Sequence, residues 1–165
     1  MTIKYYGNKL FIVNLYKRWK MKISTKGRYA LRFMLDLAMH SSGDFVRLKD
    51  ISQRQEISEK YLEQISSALT KAGLIRGVRG SQGGYKLIKS PSEYTIGSIL
   101  RATEGKLAPV ACLEGIENTC HRKSECAALL FWQELNKLIN DFVDGKTLQD
   151  LIDQYNGIKS ALYTI

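Results

Sequence analysis

A mostly α-helical fold carrying one small β-hairpin is predicted by three features of the sequence. Apolar residues recur at helical spacing in three successive segments between Ser24 and Gly73. A glycine-rich, basic hairpin follows them, and beyond a cysteine-bearing stretch a long helix carries a wide apolar stripe. At 165 residues, 44% hydrophobic and 25% charged, the chain can bury a core without disulfide staples, which argues against disordered, collagen-like and disulfide-scaffold classes. No apolar run approaches the roughly 18 residues that a membrane-spanning helix needs, so no membrane partner is expected and the expected location is the cytoplasm.

The net charge of +9 is unevenly spread, with +5 in residues 1–20, +7 in 21–90 and −3 in 91–165. A basic front half suggests a polyanion partner, but charge alone is equally consistent with a solvated surface, so local motifs decide. Residues 1–20 lack the long apolar stretch and small-residue cleavage site of an export signal. They are expected to be a disordered extension, or sequence ahead of a second translation start at Met21.

Helix one is predicted from a Ser24 or Thr25 cap to about His40, with Tyr29, Phe33, Met34, Leu37 and Ala38 on its apolar side. A small helix over 50–55 and a stronger one over 59–72 follow, the latter capped by Ser58 and stopped by Gly73. In this third helix Tyr61, Leu62, Ile65, Ala68 and Leu69 turn inward, leaving Lys60, Glu63, Gln64, Ser67 and Lys71 outside. Two short helices joined tightly form a helix-turn-helix pattern, in which the start of the second helix reaches base edges. Ser58, Lys60, Tyr61, Glu63 and Gln64 are therefore candidate DNA contacts, Gln64 the best direct reader because its amide can pair bidentately with adenine. Two β-prone runs, 74–78 and 85–89, flank Arg79-Gly80-Ser81-Gln82-Gly83-Gly84. That hairpin reads as a wing whose Arg76 and Arg79 reach phosphates or a narrow minor groove, with Lys22, Lys26 and Arg28 supporting backbone contact from the start of helix one. Taken singly, each piece is ordinary core packing or an ordinary turn; in this order they make a winged helix-turn-helix over 21–90.

Thr95 is placed to cap a short helix over 96–104 that ends at Gly105, and 106–123 forms a linker, so that 91–123 is a short helix plus a cysteine-bearing loop. Ser124 is expected to cap a long helix to about residue 144, where Phe131, Leu135, Leu138 and Phe142 fall at spacings of four, three and four. Trp132, Ile139 and Val143 widen the stripe, implying a partner helix or packing against the first module. Thr147 caps a last short helix bearing Leu148, Leu151, Ile152 and Tyr155, which completes a 124–165 unit.

Cys112, Cys120 and Cys126 are spaced C-x7-C-x5-C within fifteen residues. Zinc sites favour paired C-x2–4-C spacing, and a reducing cytosol does not suit a structural disulfide. Thiolates on such a loop can surround iron, and Cys126 at a helix N-terminus would have its thiolate favoured by the dipole; a thiol redox switch and unused cysteines are the alternatives. Neither His40 nor His121 sits in a nucleophile or metalloprotease motif, so no catalytic residue is nominated and an enzyme is not expected.

The segments MKISTKGRYALRFMLDLA, ISEKYLEQI, AGLI and VRGSQGGYKL resemble the Rrf2 family of bacterial winged-helix transcription regulators, and the resemblance runs from Met21 to about Tyr155. It implies a repressor that dimerises through the Phe131, Leu135, Leu138 and Phe142 helix and binds a pseudo-palindromic site in double-stranded DNA. Cluster-binding members carry three cysteines in this loop, usually with a slightly shorter first spacing, which implies an iron–sulfur cluster on Cys112, Cys120 and Cys126, [2Fe–2S] ahead of [4Fe–4S]. The fourth ligand departs from the family pattern. IscR-like members place a His three residues after the last Cys, where this chain has Leu129, and the NsrR-like Asp near the start of helix one corresponds to Arg28. His121 is a further candidate, as are Glu114, Glu117, Glu125 or an exogenous thiol. CymR-like members, which work through a metabolic enzyme, supply the alternative reading of a protein-interaction regulator.

Overall fold

Helix α1 (Thr25–His40) starts where the Ser24 hydroxyl accepts a hydrogen bond from the Gly27 N–H, as its capping chemistry predicts. Its Phe33, Met34 and Leu37 meet Ile51 of α2 (Leu48–Gln55) and Leu62, Ile65 and Leu69 of α3 (Glu59–Lys71), all fully excluded from solvent. Burying each such side chain is worth about 1.5–3 kcal/mol, so this cluster fixes the three helices against one another. The computed structural model describes residues 4–6, 9–11, 23–41, 43–80 and 83–162. Within the expected extension 1–20, Lys4–Tyr6 (β1) and Lys9–Phe11 (β2) pair antiparallel, and the rest of it lies outside the described residues, as does Lys22.

The α2–α3 turn places Glu56 in the left-handed region at φ 54°, ψ 43°. That backbone costs a side-chain-bearing residue about 1–2 kcal/mol. Burial of Ile57 and a 2.7 Å hydrogen bond from the Ser52 hydroxyl to the Ile57 carbonyl hold the turn in place. Helix α2 begins two residues earlier than predicted, behind an Arg47 cap position with no side-chain capping bond, so no sequence signal marks its start. Helix α3 ends as its glycine predicts: Gly73 adopts φ 69°, and the Gly73 and Leu74 N–H groups bond the Thr70 and Leu69 carbonyls, a Schellman motif.

The wing pairs β3 (Ile75–Val78) with β4 (Gly84–Leu87) in antiparallel register, Ile75 opposite Leu87 and Val78 opposite Gly84. Val46 adds a third short edge by exchanging two 2.9 Å backbone bonds with Tyr85, and a Cβ on Gly84 would lie 2.4 Å from the Val46 carbonyl oxygen. Both strands are shorter than predicted for a physical reason. Leu74 is spent closing α3, and the Ile88 and Lys89 N–H groups both donate to the Tyr94 hydroxyl at 2.9 Å. That hydroxyl donates in turn to the Leu74 carbonyl at 2.9 Å, so Tyr94, only 1% exposed, pins the base of the wing.

Helix α4 (Ile96–Glu104), capped by Thr95, packs along α1. The long helix α5 spans Leu129–Asp144. Its expected Ser124 cap is not made: Ser124 sits in a one-turn 3-10 segment, Lys123–Glu125, and the extended backbone of Cys126 (ψ 101°) breaks any continuation, so α5 starts behind Ala128 with no side-chain cap. Helix α6 (Leu148–Leu162) starts as predicted, the Thr147 N–H donating to Asp150 Oδ2 and the Asp150 N–H to the Thr147 hydroxyl, with Leu148 fully buried. It is not short, however; it continues for 15 residues and carries Tyr155, Ile158 and Leu162 out into solvent. Among the described residues no helix is long and apolar enough to cross a membrane.

Candidate nucleic-acid interface and cysteine loop

Ser58, Lys60, Glu63 and Gln64 all stand exposed at the start of α3, the face a helix-turn-helix turns toward bases. Ser58 occupies the cap position but its side chain makes no capping bond, contrary to the sequence expectation. Tyr61 is half-buried, its ring edge-on to Tyr29 with centroids 5.8 Å apart, so it anchors α3 on α1 as well as bordering the exposed face. Arg76 and Arg79 are exposed on the wing, and Gly80 at φ 112° begins its tip, of which Ser81 and Gln82 lie outside the described residues. At the start of α1, Arg28 is exposed and donates to the Thr25 hydroxyl at 3.2 Å, while Lys26 is half-buried.

A buried carboxylate that sequence reasoning missed holds α2, the first helix of the helix-turn-helix, against α1. Asp36 of α1 is 1% exposed and accepts from Arg54 Nε and an Arg54 terminal nitrogen (3.0 and 2.6 Å) and from Gln55 Nε2 (2.9 Å). The hydrogen bond to Asp36 raises the Arg54 pKa above its already high ordinary value, so the cation is permanent. Arg32 of α1 then donates to both the side-chain and main-chain oxygens of Gln55, giving α2 two clamps to α1. The signal was legible: an Asp between Phe33 and Leu37 on an apolar helix face demands a cation.

The loop over 105–128 contains no regular element beyond two 3-10 turns, Ala111–Leu113 and Lys123–Glu125. Cys112 and Cys120 are half-buried and Cys126 is exposed, all three as free thiols. Cys126 precedes α5 by three residues, its carbonyl accepting from the Leu129 N–H at 3.1 Å, so the helix-dipole argument made for it loses its geometric basis. His121, Glu117 and Glu125 are exposed and Glu114 half-buried, and among the described residues no group of three or more His, Cys, Asp or Glu side chains is drawn together around a metal position. The loop nonetheless has chemistry that fits an anionic sulfur group. The Cys120 N–H donates to Asn118 Oδ1 at 2.9 Å, which fixes the amide orientation, and Asn118 Nδ2 is left buried without a partner among the described residues. An unmet buried donor costs about 1–3 kcal/mol, and a thiolate or cluster sulfide would satisfy it.

Helix α5 has two different faces. Asp144 accepts from both terminal nitrogens of Arg101 in α4 at 2.7 and 2.8 Å, and Asn140 Oδ1 accepts at 2.6 Å. The Arg101 hydrogen bonds hold the Asp144 carboxyl below its ordinary pKa, and a Cβ on Gly97 would fall 2.0 Å from an Asp144 oxygen. Val143 packs on the core, while Phe131, Leu138 and Phe142 are 58%, 66% and 66% exposed and Leu135 is half-buried.

A helix-turn-helix with an outward reading helix, beside a pinned basic wing, defines a winged-helix DNA-binding transcription regulator. The chain matches the Rrf2 family model, described as an iron-dependent transcriptional regulator, over residues 23–154, and it belongs to that family. It is 42% identical over 132 residues to the HTH-type transcriptional regulator IscR of Aliivibrio salmonicida, covering 80% of this chain and 77% of that protein. Among solved structures it resembles CymR, the global cysteine regulator of B. subtilis, at 36% identity and a TM-score of 0.65, covering 81% of this chain and 97% of that one. It also resembles T. potens IscR at 37% identity and a TM-score of 0.62, covering 81% and 88%. These relatives are transcription regulators, not enzymes.

Proposed function

We propose that the protein is a homodimeric cytoplasmic repressor that binds a pseudo-palindromic site in double-stranded DNA and whose affinity follows the state of Cys112, Cys120 and Cys126. In this reading Gln64 reads a base, Glu63 tunes specificity by repelling phosphate or accepting from cytosine, and Lys60 and Ser58 flank them. Arg79 and Arg76 place the wing on the minor groove or its phosphates, supported by Lys26, Arg28 and Lys22. The exposed Phe131, Leu138 and Phe142, with Leu135 at their margin, cross the same helix of a second copy.

The observation that carries the regulatory part is the position of three free thiols on the one loop joining α4 to α5, beside the unpartnered Asn118 amide. Cys112, Cys120 and Cys126 would hold an iron–sulfur cluster, [2Fe–2S] ahead of [4Fe–4S], which supplies a group that oxygen or nitric oxide can destroy. The fourth ligand is His121, a loop glutamate or an exogenous thiol. Protein reconstituted anaerobically with iron and sulfide should be brown, and Cys→Ala at any one of the three positions should abolish or greatly weaken the colour. A colourless preparation would defeat the cluster reading. One observation favours a second reading, a thiol redox switch: the thiols are not gathered among the described residues, and Cys126 is open to solvent. Peroxide would then change DNA affinity without any chromophore.

A further inference from the structure

We propose that Glu104 is the positioning residue through which the cysteine loop acts on the DNA-contacting start of α1. The inference rests on the reading that loop state governs affinity, and deepens it by naming the contact that transmits it.

Glu104 is the last residue of α4, and the loop begins at the next residue, Gly105, whose φ of 81° turns the chain away from the helix. Its Oε1 accepts two hydrogen bonds from Ser24, from the backbone N–H at 3.2 Å and from the hydroxyl at 2.6 Å. The same Ser24 hydroxyl accepts from the Gly27 N–H at 3.3 Å, so carboxylate, cap and first helical turn form one chain of hydrogen bonds. Gly27 is the position that permits it: a Cβ there would lie 2.2 Å from Glu104 Oε1. The first turn of α1 has no acidic residue of its own, although a negative charge is favoured at a helix N-terminus, and Glu104 supplies that charge from across 80 residues of sequence.

One turn earlier in α4, Arg101 grips Asp144 and Asn140 near the end of α5. A single turn of α4 therefore touches the start of α1 through Glu104 and the end of α5 through Arg101, while the loop pulls on its terminus. Drawing Cys112 toward Cys120 and Cys126 acts on Gly105 within seven residues of chain, so the Glu104–Ser24 contact is the element with two arrangements, made or broken. Breaking it frees the turn that carries Lys26 and Arg28.

The test compares full-length wild type, Glu104→Ala and Gly27→Ala, each anaerobically reconstituted and again after iron is chelated away, on one DNA site selected by the wild type from random duplexes. Wild type should show different affinities in the two states, within the ~5–150-fold range usual for coupled sites. Both variants should keep the chromophore while the ratio between their two states collapses toward unity. Hydrogen exchange gives a readout independent of the cluster: in chelated protein, Glu104→Ala should speed exchange of the Gly27 and Arg28 amides and leave those of α3 unchanged. A residue with a merely structural role would lower both affinities together and preserve the ratio, which would overturn the proposal. If wild type itself shows no difference, the parent reading fails and takes this inference with it; if wild type shows one and the variants retain it, only this inference fails.

Discussion

Gln64 presents an amide to solvent at the start of α3, where a bidentate pair with adenine is worth about 1–3 kcal/mol of discrimination. Gln64→Ala should lose that much on the selected site and little on random duplex, measured by fluorescence anisotropy at one fixed salt concentration; equal losses on both would remove it from the reading role. A different cost attaches to Arg54, whose removal leaves the fully buried Asp36 carboxylate with the Gln55 amide at 2.9 Å and the His40 ring nitrogen at 3.7 Å. Breaking such a pair from one side costs about 3–5 kcal/mol, so urea unfolding of Arg54→Met should show a loss of that order, and a loss below about 1 kcal/mol would mean the clamp is dispensable. At this scale the sequence was partly readable. The outward residues of α3 follow from helical period alone, and Asp36 was visible as a charge on an apolar face. Glu104 was not, because its partner Ser24 lies 80 residues away and only the packing of α4 on α1 brings them together.

The wing carries two exposed arginines, Arg76 in β3 and Arg79 at the tip. Arg79→Ala should weaken DNA binding and flatten its dependence on salt, since each phosphate contact released contributes a slope of about 0.9 in log–log form. An unchanged affinity and slope would take the wing off the DNA. Helix α4 is tied to α5 by Arg101 and Asp144, whose carboxyl pKa is lowered in the folded protein. A lowered carboxylate pKa stabilises the fold fully above the unfolded value, near 3.9, and the contribution is lost as pH falls through the folded value. Asp144→Asn should therefore reduce thermal stability at pH 7, and its deficit against wild type should shrink as the pH is taken below about 4; a deficit that persists undiminished in strong acid would show that charge is not the cause. Element positions were legible where a cap or a glycine marked them, as at Ser24, Gly73, Thr95 and Thr147. They were misread where the backbone overrode the signal. Ser124 is a good capping residue held in a 3-10 turn, and the wing strands lose residues to the Tyr94 hydroxyl, a long-range contact that periodicity does not encode.

Across the whole molecule, the proposed function joins two features, the exposed apolar face of α5 and the thiols of the loop that precedes it: the first would pair two copies and the second would set how their α3 helices are spaced. Leu138→Asp puts a carboxylate in the middle of the exposed stripe, and burying it unpaired against a second copy is costly. Sedimentation should find this variant monomeric with poor operator affinity, whereas an undisturbed dimer would place the interface elsewhere. The winged-helix architecture was legible because its helices, turn and hairpin each carry local chemistry; the arrangement of the cysteines was not, because spacing fixes only that they share a loop. The most direct measurement of the regulatory claim is operator affinity of one preparation of the protein, taken anaerobically at fixed salt with iron and sulfide loaded and again after the metal is removed. The two dissociation constants should differ by at least about fivefold, the lower end of ordinary coupling. Equal constants, with the chromophore present in one sample and absent in the other, would contradict a sensory role for a cluster on the three cysteines.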